Sequence, residues 1–243
     1  SSDLGAADAV IVLSEYWRDV VETVAEPEKV LVLPNAVEAD EYDPDVRPEP
    51  PHVVFVSNHI ERKGLPEFVA ALRSVLSRQE QDFQVSIAGS GTLSHLAAEL
   101  AEEFRSVEYL GYVSEAEKRH LLDSASIYVL PTYAEGLPIA LIEGMAGGNA
   151  VVSTDVGGIP DLLDEENGLV VRPGDEAALT AAIERLLADP ETVRMMAERN
   201  RTLVETSYSW QSVVDDLTAL YTGLNAGEQE RGRRRSETAT ART

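Results

Sequence analysis

The sequence predicts an α/β protein built on a parallel sheet with helices on both faces. Short runs such as HVVFVSN and SIYVLPT are apolar nearly throughout, the pattern of strands covered on both sides. Between them lie amphipathic stretches of helical length, as in LPEFVAALRSVLSRQ. The alternation is regular from residue 52 to residue 171, the order expected of successive strand–helix units.

Taken in order, ADAVIVLS (Ala7 to Ser14) predicts a strand. EYWRDVVETVA (Glu15 to Ala25) predicts a helix capped by Ser14. KVLVLPNAV (Lys29 to Val37) is a second strand, stopped near Pro34. The acidic, proline-rich EADEYDPDVRPEPP then has the composition of a linker, with a domain boundary across Pro44 to Pro51. Beyond it, HVVFVSN, FQVSIAG, VEYLGYV, SIYVLPT, AVVSTD and NGLVVRP read as strands. Helices are predicted in LPEFVAALRSVLSRQ, LSHLAAELAEEF, SEAEKRHLLDSA, PIALIEGMAGG and IPDLLDEE, with Ser114 and Glu117 forming a capping box. Two more follow, from Asp175 to Leu187 and from Pro190 to Thr206. A last one, YSWQSVVDDLTALY, is capped by Ser209. The tail from residue 225 is polar, without apolar periodicity, and reads as disordered.

Composition narrows the function classes. The formal net charge is -23, which disfavours nucleic acid and anionic membrane surfaces as partners. The chain has no cysteine, which removes disulfides, thiol chemistry and thiolate metal sites and fits a cytoplasmic setting. No apolar run is long enough for a transmembrane segment. Lysine occurs three times, at Lys29, Lys63 and Lys118. An acidic chain so poor in lysine has the composition of proteins from salt-loving microbes, with solubility as the simpler account.

In a parallel sheet of this kind, ligands bind at the carboxyl ends of the strands. The loops after Asn58, Gly89, Val113 and Thr132 are therefore the places to look. The last leads into EGLPIALIEGMAGG, with Glu135 before a helix predicted from Pro138 to Met145 and Glu143 on its second turn. Proline suits a helix start. The first N–H groups there, from Leu137 and Ile139, make a ready anion site. Eight helical positions span about 12 Å, which would let Glu135 and Glu143 reach groups on opposite sides of a bound diphosphate.

EGLPIALIEGMAGG resembles the E-x7-E segment of family 4 glycosyltransferases, retaining enzymes of the GT-B fold. The similarity continues through AVVSTDVGGIPDLLDEENGLVVRPGD, and VSNHIERKG, SIAGSGTL and VEYLGYVS follow in the expected order. It covers about residues 7 to 222. The resemblance implies a Rossmann-like nucleotide-sugar-binding domain over residues 45–206, with residues 1–44 the end of an acceptor-side domain and hinge. Residues 207–224 would be a helix crossing back between domains. It also implies a hexosyltransferase that uses a UDP-, GDP- or ADP-hexose, needs no cofactor or metal, and works in the cytoplasm, free or peripheral at the inner membrane face. The acceptor, a sugar or a lipid, stays open. With most of the acceptor domain absent, this chain is expected to be inactive alone.

By the same resemblance, Glu135 acts at the transferred sugar and Glu143 holds the ribose hydroxyls. N–H groups of Gly136, Leu137, Pro138's neighbour Ile139 and the turn between them receive phosphate and sugar hydroxyls. Lys63 neutralises the diphosphate, and the backbone of Tyr112 and Val113 frames the base. Asn58 stands where the family has an arginine, with Arg62 as its substitute. Gly144 and Ala150 replace the usual Ala and Pro. Gly89 is either a turn residue or close to ligand, and Ser94 in place of a third glycine argues against a dehydrogenase. His52, His59, His95 and His120 share no spacing and are expected to be structural. Two alternatives remain: a catalytically silent nucleotide-sugar-binding module, and another GT-B enzyme such as a sugar-nucleotide epimerase.

Overall fold

The computed structural model describes residues 7–44, 49–78 and 82–223. The tail from residue 225 and the centre of the Pro44–Pro51 boundary lie outside the described residues.

The main body is a parallel sheet of six strands: β3 (His52–Val56), β4 (Gln84–Ala88), β5 (Val107–Gly111), β6 (Ile127–Leu130), β7 (Ala150–Thr154) and β8 (Gly168–Val171). Their order is β5-β4-β3-β6-β7-β8, every pair parallel. Every residue of β3, β6 and β7 is buried. That explains their continuous apolar sequence, because helices cover both faces. One layer holds α2 (Leu65–Arg78), α3 (Ser94–Glu103) and α7 (Glu176–Ala188), with α2 packed on α3 and α7. The other holds α4 (Glu115–Asp123), α5 (Ile139–Ala146) and α8 (Pro190–Leu203), with α5 packed on α4 and α8. A short α6 (Ile159–Leu162) follows β7.

Before this body, β1 (Val10–Val12) and β2 (Val30–Val32) pair in parallel across α1 (Glu15–Glu22). Both strands are shorter than their apolar runs, and among the described residues each has a single partner. The predicted caps are present. Ser14 accepts from the Trp17 N–H, and Ser114 and Glu117 exchange the two bonds of a capping box. The Ser209 hydroxyl accepts from the Ser212 N–H at 3.3 Å, and residues 210–223 are helical. Each such cap contributes about 1 kcal/mol.

Two expectations change. The helix predicted to reach Thr206 ends at Leu203 and widens into a π turn over Val204–Tyr208. The turn sets Tyr208 to Trp210 alongside Val37: the Val37 N–H donates to the Tyr208 carbonyl (2.9 Å), and the Trp210 N–H to the Val37 carbonyl (3.1 Å). The acidic stretch read as linker is also partly core. Ala39 and Tyr42 are buried, and Arg201 donates to the carbonyls of Tyr42 and Ala146, both at 2.9 Å. Acids dominate its composition, but among its described residues Ala39 and Tyr42 turn inward.

Gly144 replaces the larger residue expected there because Tyr128 fills the space. A Cβ on Gly144 would sit 2.7 Å from the Tyr128 ring. The buried Tyr128 hydroxyl donates to the Val56 carbonyl at 2.9 Å, tying β6 to the end of β3.

Candidate functional site

The sheet reverses direction between β3 and β6. From β3 the chain proceeds outward to β4 and β5, and from β6 it proceeds the other way to β7 and β8. A crevice opens at the carboxyl ends of strands at such a switch point. Two loops border it: residues 57–64 after β3 and residues 131–138 after β6.

The first loop delivers Lys63 and Arg62. Lys63 and its neighbours form a single 3-10 turn closed by Gly64 at φ +73°. A Cβ on Gly64 would lie 1.9 Å from the Pro131 carbonyl oxygen, so only glycine lets the two loops meet this closely. Across the contact, Lys63 Nζ donates to Glu135 Oε1 at 2.5 Å. The side chains of Lys63 and Glu135 are 12% and 9% exposed, so the pair is largely out of water. Thr132 Oγ1 lies 3.0 Å from the same carboxylate oxygen and 2.9 Å from the Arg62 carbonyl. The Arg62 guanidinium donates to the Ala134 carbonyl at 2.6 Å and lies 3.7 Å from Glu135 Oε1.

Beyond Glu135 the backbone runs through Gly136 and Leu137 to Pro138, whose ψ of 116° makes it the cap residue, and α5 begins at Ile139. Glu135 thus lies in the loop and not on the helix. The 12 Å helical separation expected between Glu135 and Glu143 does not apply. The N–H groups of Gly136, Leu137, Ile139 and Ala140 make no hydrogen bond among the described residues. They are donors awaiting an acceptor at a helix start, where the helix dipole favours negative charge.

Three segments brace this loop from behind. The Gly158 N–H donates to the Gly136 carbonyl at 2.8 Å, and Gly157, at φ +55°, leaves room for the Glu135 carbonyl where a Cβ would be 1.9 Å away. Asn35 Nδ2 donates to the Leu137 carbonyl at 2.6 Å. Leu13 and Trp17 stand over Gly136. Residues before the main body therefore help shape the crevice.

Glu143 faces α4. Its carboxylate accepts from Lys118 Nζ at 2.8 Å, and the same ammonium is 2.7 Å from Glu115. Burial pushes the Glu143 carboxyl above the usual range, and Lys118 pulls it back. Burial works against the Lys118 ammonium, but its bonds to Glu115 and Glu143 leave it held above its ordinary value.

The remaining sequence-selected residues scatter around this centre. Gly89 has φ +127°, and a Cβ there would strike the Ser57 carbonyl at 1.8 Å. It is a close-approach glycine between the β3 and β4 loops, and its N–H donates to the Gly111 carbonyl at 2.7 Å. Tyr112 is 80% exposed at the end of β5, and Val113 packs partly on the core. Asn58 is exposed, and its side chain makes no hydrogen bond among the described residues, so it does not join Lys63 and Glu135. His59 is fully buried, with Nδ1 3.1 Å from Ser94 Oγ and its ring between Phe55 and Tyr109. His52 is buried against Ser86 and Ser124. Burial holds both histidines below their ordinary pKa, which favours the neutral form.

Sequence reading missed Thr132, Asn35, the pair Gly157–Gly158 and Lys118. For Lys118 the signal was rarity: the chain has three lysines against 17 arginines, and two of the three, Lys63 and Lys118, pair with the two acids of the E-x7-E segment.

The profile of the family described as "Glycosyl transferases group 1" matches residues 50–189, more than half of the chain. Among curated relatives, a glycogen synthase of Mycobacterium tuberculosis is 25% identical over 92% of this chain and 56% of its own length. The alpha-maltose-1-phosphate synthase of Mycolicibacterium smegmatis is 30% identical, over 91% of this chain and 64% of its own length. The sucrose-phosphate synthase of Thermosynechococcus elongatus superposes with a TM-score of 0.80 at 27% identity, covering 93% of this chain and 60% of that one. HepE of Anabaena, solved in complex with UDP, shares the fold at a TM-score of 0.77 and 17% identity, covering 89% of this chain and 64% of its own. The chain thus spans a little over half the length of these relatives.

Proposed function

This chain belongs to the group 1 glycosyl transferases, and from that premise we propose that it binds a nucleoside diphosphate hexose and serves transfer of the hexose with retention. The observation that carries this is the meeting of Lys63 and Arg62 with Glu135 beside the N–H groups of Gly136, Leu137, Ile139 and Ala140, which are unbonded among the described residues, at the switch point of the sheet. Departure of a nucleoside diphosphate builds negative charge on its outer phosphate. Fixed cations and a helix start answer that charge without reorganising, which is where electrostatic catalysis gains most. Glu135, held by Lys63 and Thr132, is assigned to the transferred sugar at its anomeric centre. Glu143, one turn into α5, is assigned to the ribose hydroxyls. The Tyr112–Val113 backbone at the end of β5 is assigned to the base. Arg62 takes the place that Asn58 leaves without a cation. Relatives whose names describe sugar synthases, and a fold neighbour solved with UDP, support a nucleotide-sugar donor.

We place the protein in family 4 of the GT-B enzymes and in the cytoplasm, with the -23 charge read as halophilic. No helix among the described residues is long and apolar enough to cross a membrane. Transfer also needs an acceptor positioned against the anomeric carbon, and positioning supplies much of an enzyme's rate. We therefore propose that these 243 residues bind donor but do not transfer it alone.

A thermal-shift panel of UDP-, GDP- and ADP-sugars tests donor binding. At 100 times its Kd a ligand adds about 2.7 kcal/mol, roughly 5–10 °C for a chain of this size. No shift with any of the three at millimolar concentration overturns the reading.

A further inference from the structure

The pairing of Glu143 with Lys118 says more than the donor assignment does. Glu143 is 14% exposed, on α5, and Lys118 is 17% exposed, on α4, with Nζ 2.8 Å from Glu143 Oε1. The other groups around Glu143 do little to hold its charge. Arg119, also on α4, pairs with Glu41. Tyr42, from the buried acidic stretch, and Tyr128, on β6, are both kept neutral, chiefly by burial, with the Glu143 charge next. Glu115 adds negative charge but is 75% exposed, where water screens it. Lys118 is thus the one cation in direct contact with the Glu143 carboxylate among the described residues, and Glu115 anchors it from the solvent side.

Lysine suits this place better than arginine. Its ammonium is a compact charge with three rotatable donors. It holds two acids at once and leaves lone pairs of Glu143 open to an incoming ligand. The capping box of Ser114 and Glu117 fixes the first turn of α4, and with it the position from which Lys118 reaches across.

We propose that Lys118 is a positioning residue: its ammonium keeps Glu143 ionised and aimed, so that the carboxylate can accept hydrogen bonds from hydroxyls of the bound nucleoside. The inference rests on the reading of Glu143 as a ligand group, and two measurements keep the claims apart.

The first needs no ligand. Carbon-detected NMR of glutamate side chains in the full chain follows the Glu143 carboxyl through a pH titration, with Glu143→Gln identifying its signal. Lys118→Met should move the midpoint up by about one unit or more, because a buried acid loses its counter-charge, and Lys118→Arg should restore most of it. Lys118→Gln serves as a second neutral variant should the methionine fail to fold. The second is calorimetry with UDP between pH 6 and 8.5. Glu143 must be ionised to accept two hydrogen bonds, so affinity falls as pH drops through its pKa. The neutral variants should therefore lose affinity relative to the parent as pH falls toward the midpoints that the NMR titration gives, by up to about tenfold per unit of midpoint shift, and approach the parent at the alkaline end. The titration of UDP itself cancels in the ratio. An unmoved midpoint in the neutral variants, or an affinity ratio flat across pH, overturns the proposal. If the parent binds none of UDP, GDP and ADP, the donor reading falls, and the NMR midpoint still decides whether Lys118 sets the charge of Glu143.

Discussion

Lys63 Nζ rests 2.5 Å from Glu135 Oε1, joining the loop after β3 to the loop after β6 across the one place where the sheet reverses. Both side chains are nearly buried, so each is the main compensation for the other's lost hydration. A pair of this kind adds little net stability but is costly to break from one side.

Lys63→Ala should therefore do two things. UDP or GDP affinity falls by about 1–3 kcal/mol, as for a lost charge-assisted hydrogen bond. The fold also loses stability, because the buried Glu135 carboxylate stays behind unpaired. The double variant Lys63→Ala, Glu135→Gln should recover part of that stability but none of the affinity. Urea denaturation and calorimetry read the two effects separately. Equal stability of single and double variants would mean that the pair is better hydrated than its geometry says.

The two acids should separate by ligand. Glu143→Gln weakens binding of plain UDP, GDP or ADP, because the ribose is present in each. Glu135→Gln spares plain nucleotide and weakens only the sugar-bearing donor. Competition between nucleotide and nucleotide sugar on both variants makes the contrast. Matching losses in both variants would overturn the assignment of one acid to ribose and the other to hexose.

Much of this site was legible in the sequence, for physical reasons. Strands buried on both faces write continuous apolar runs, and serine caps write themselves one residue before a helix. So the sheet, the Ser14, Ser114 and Ser209 caps and the loop carrying Glu135 all followed from local pattern. What joins distant segments left no local trace. Lys118 and Glu143 are 25 positions apart on neighbouring helices, and only the packing of α4 on α5 brings them together. Asn35 reaches Leu137 over 102 positions. Ala39 and Tyr42 hid in a stretch whose acids and prolines signalled a linker, because composition averages over the few residues that turn inward.

Two glycines should respond differently to alanine. Both have positive φ, +55° at Gly157 and +65° at Gly111. At Gly111 the added Cβ meets open space, so the cost is the left-handed backbone alone, about 1–2 kcal/mol. At Gly157 the Cβ would overlap the Glu135 carbonyl, so the loop carrying Glu135 must move as well. Gly157→Ala should lose more stability than Gly111→Ala and also lose donor affinity, which Gly111→Ala keeps. Equal affinity in the two variants would show that Gly157 does not set the position of Glu135.

The last expectation concerns salt, and two effects oppose each other. The described surface carries ion pairs such as Arg194 with Glu191 and Glu198, and Arg199 with Asp164 and Glu166. Salt weakens these, but exposed pairs contribute only about 0.2–1 kcal/mol each at the outset. Against them stands a chain with 43 acids and 20 lysines and arginines. Its self-repulsion acts over the whole surface at low salt, where the Debye length is about 10 Å at 0.1 M, and is cut off at about 3 Å near 1 M. With an excess of acids this large, relief of repulsion should outweigh the loss of the pairs. The melting temperature should then rise by several degrees between 0.1 M and roughly 2 M potassium chloride. The rise should level off once the Debye length falls below the spacing of neighbouring acids. A flat or falling curve would mean that repulsion among the excess acids does not limit stability and would remove the salt-loving reading of the composition.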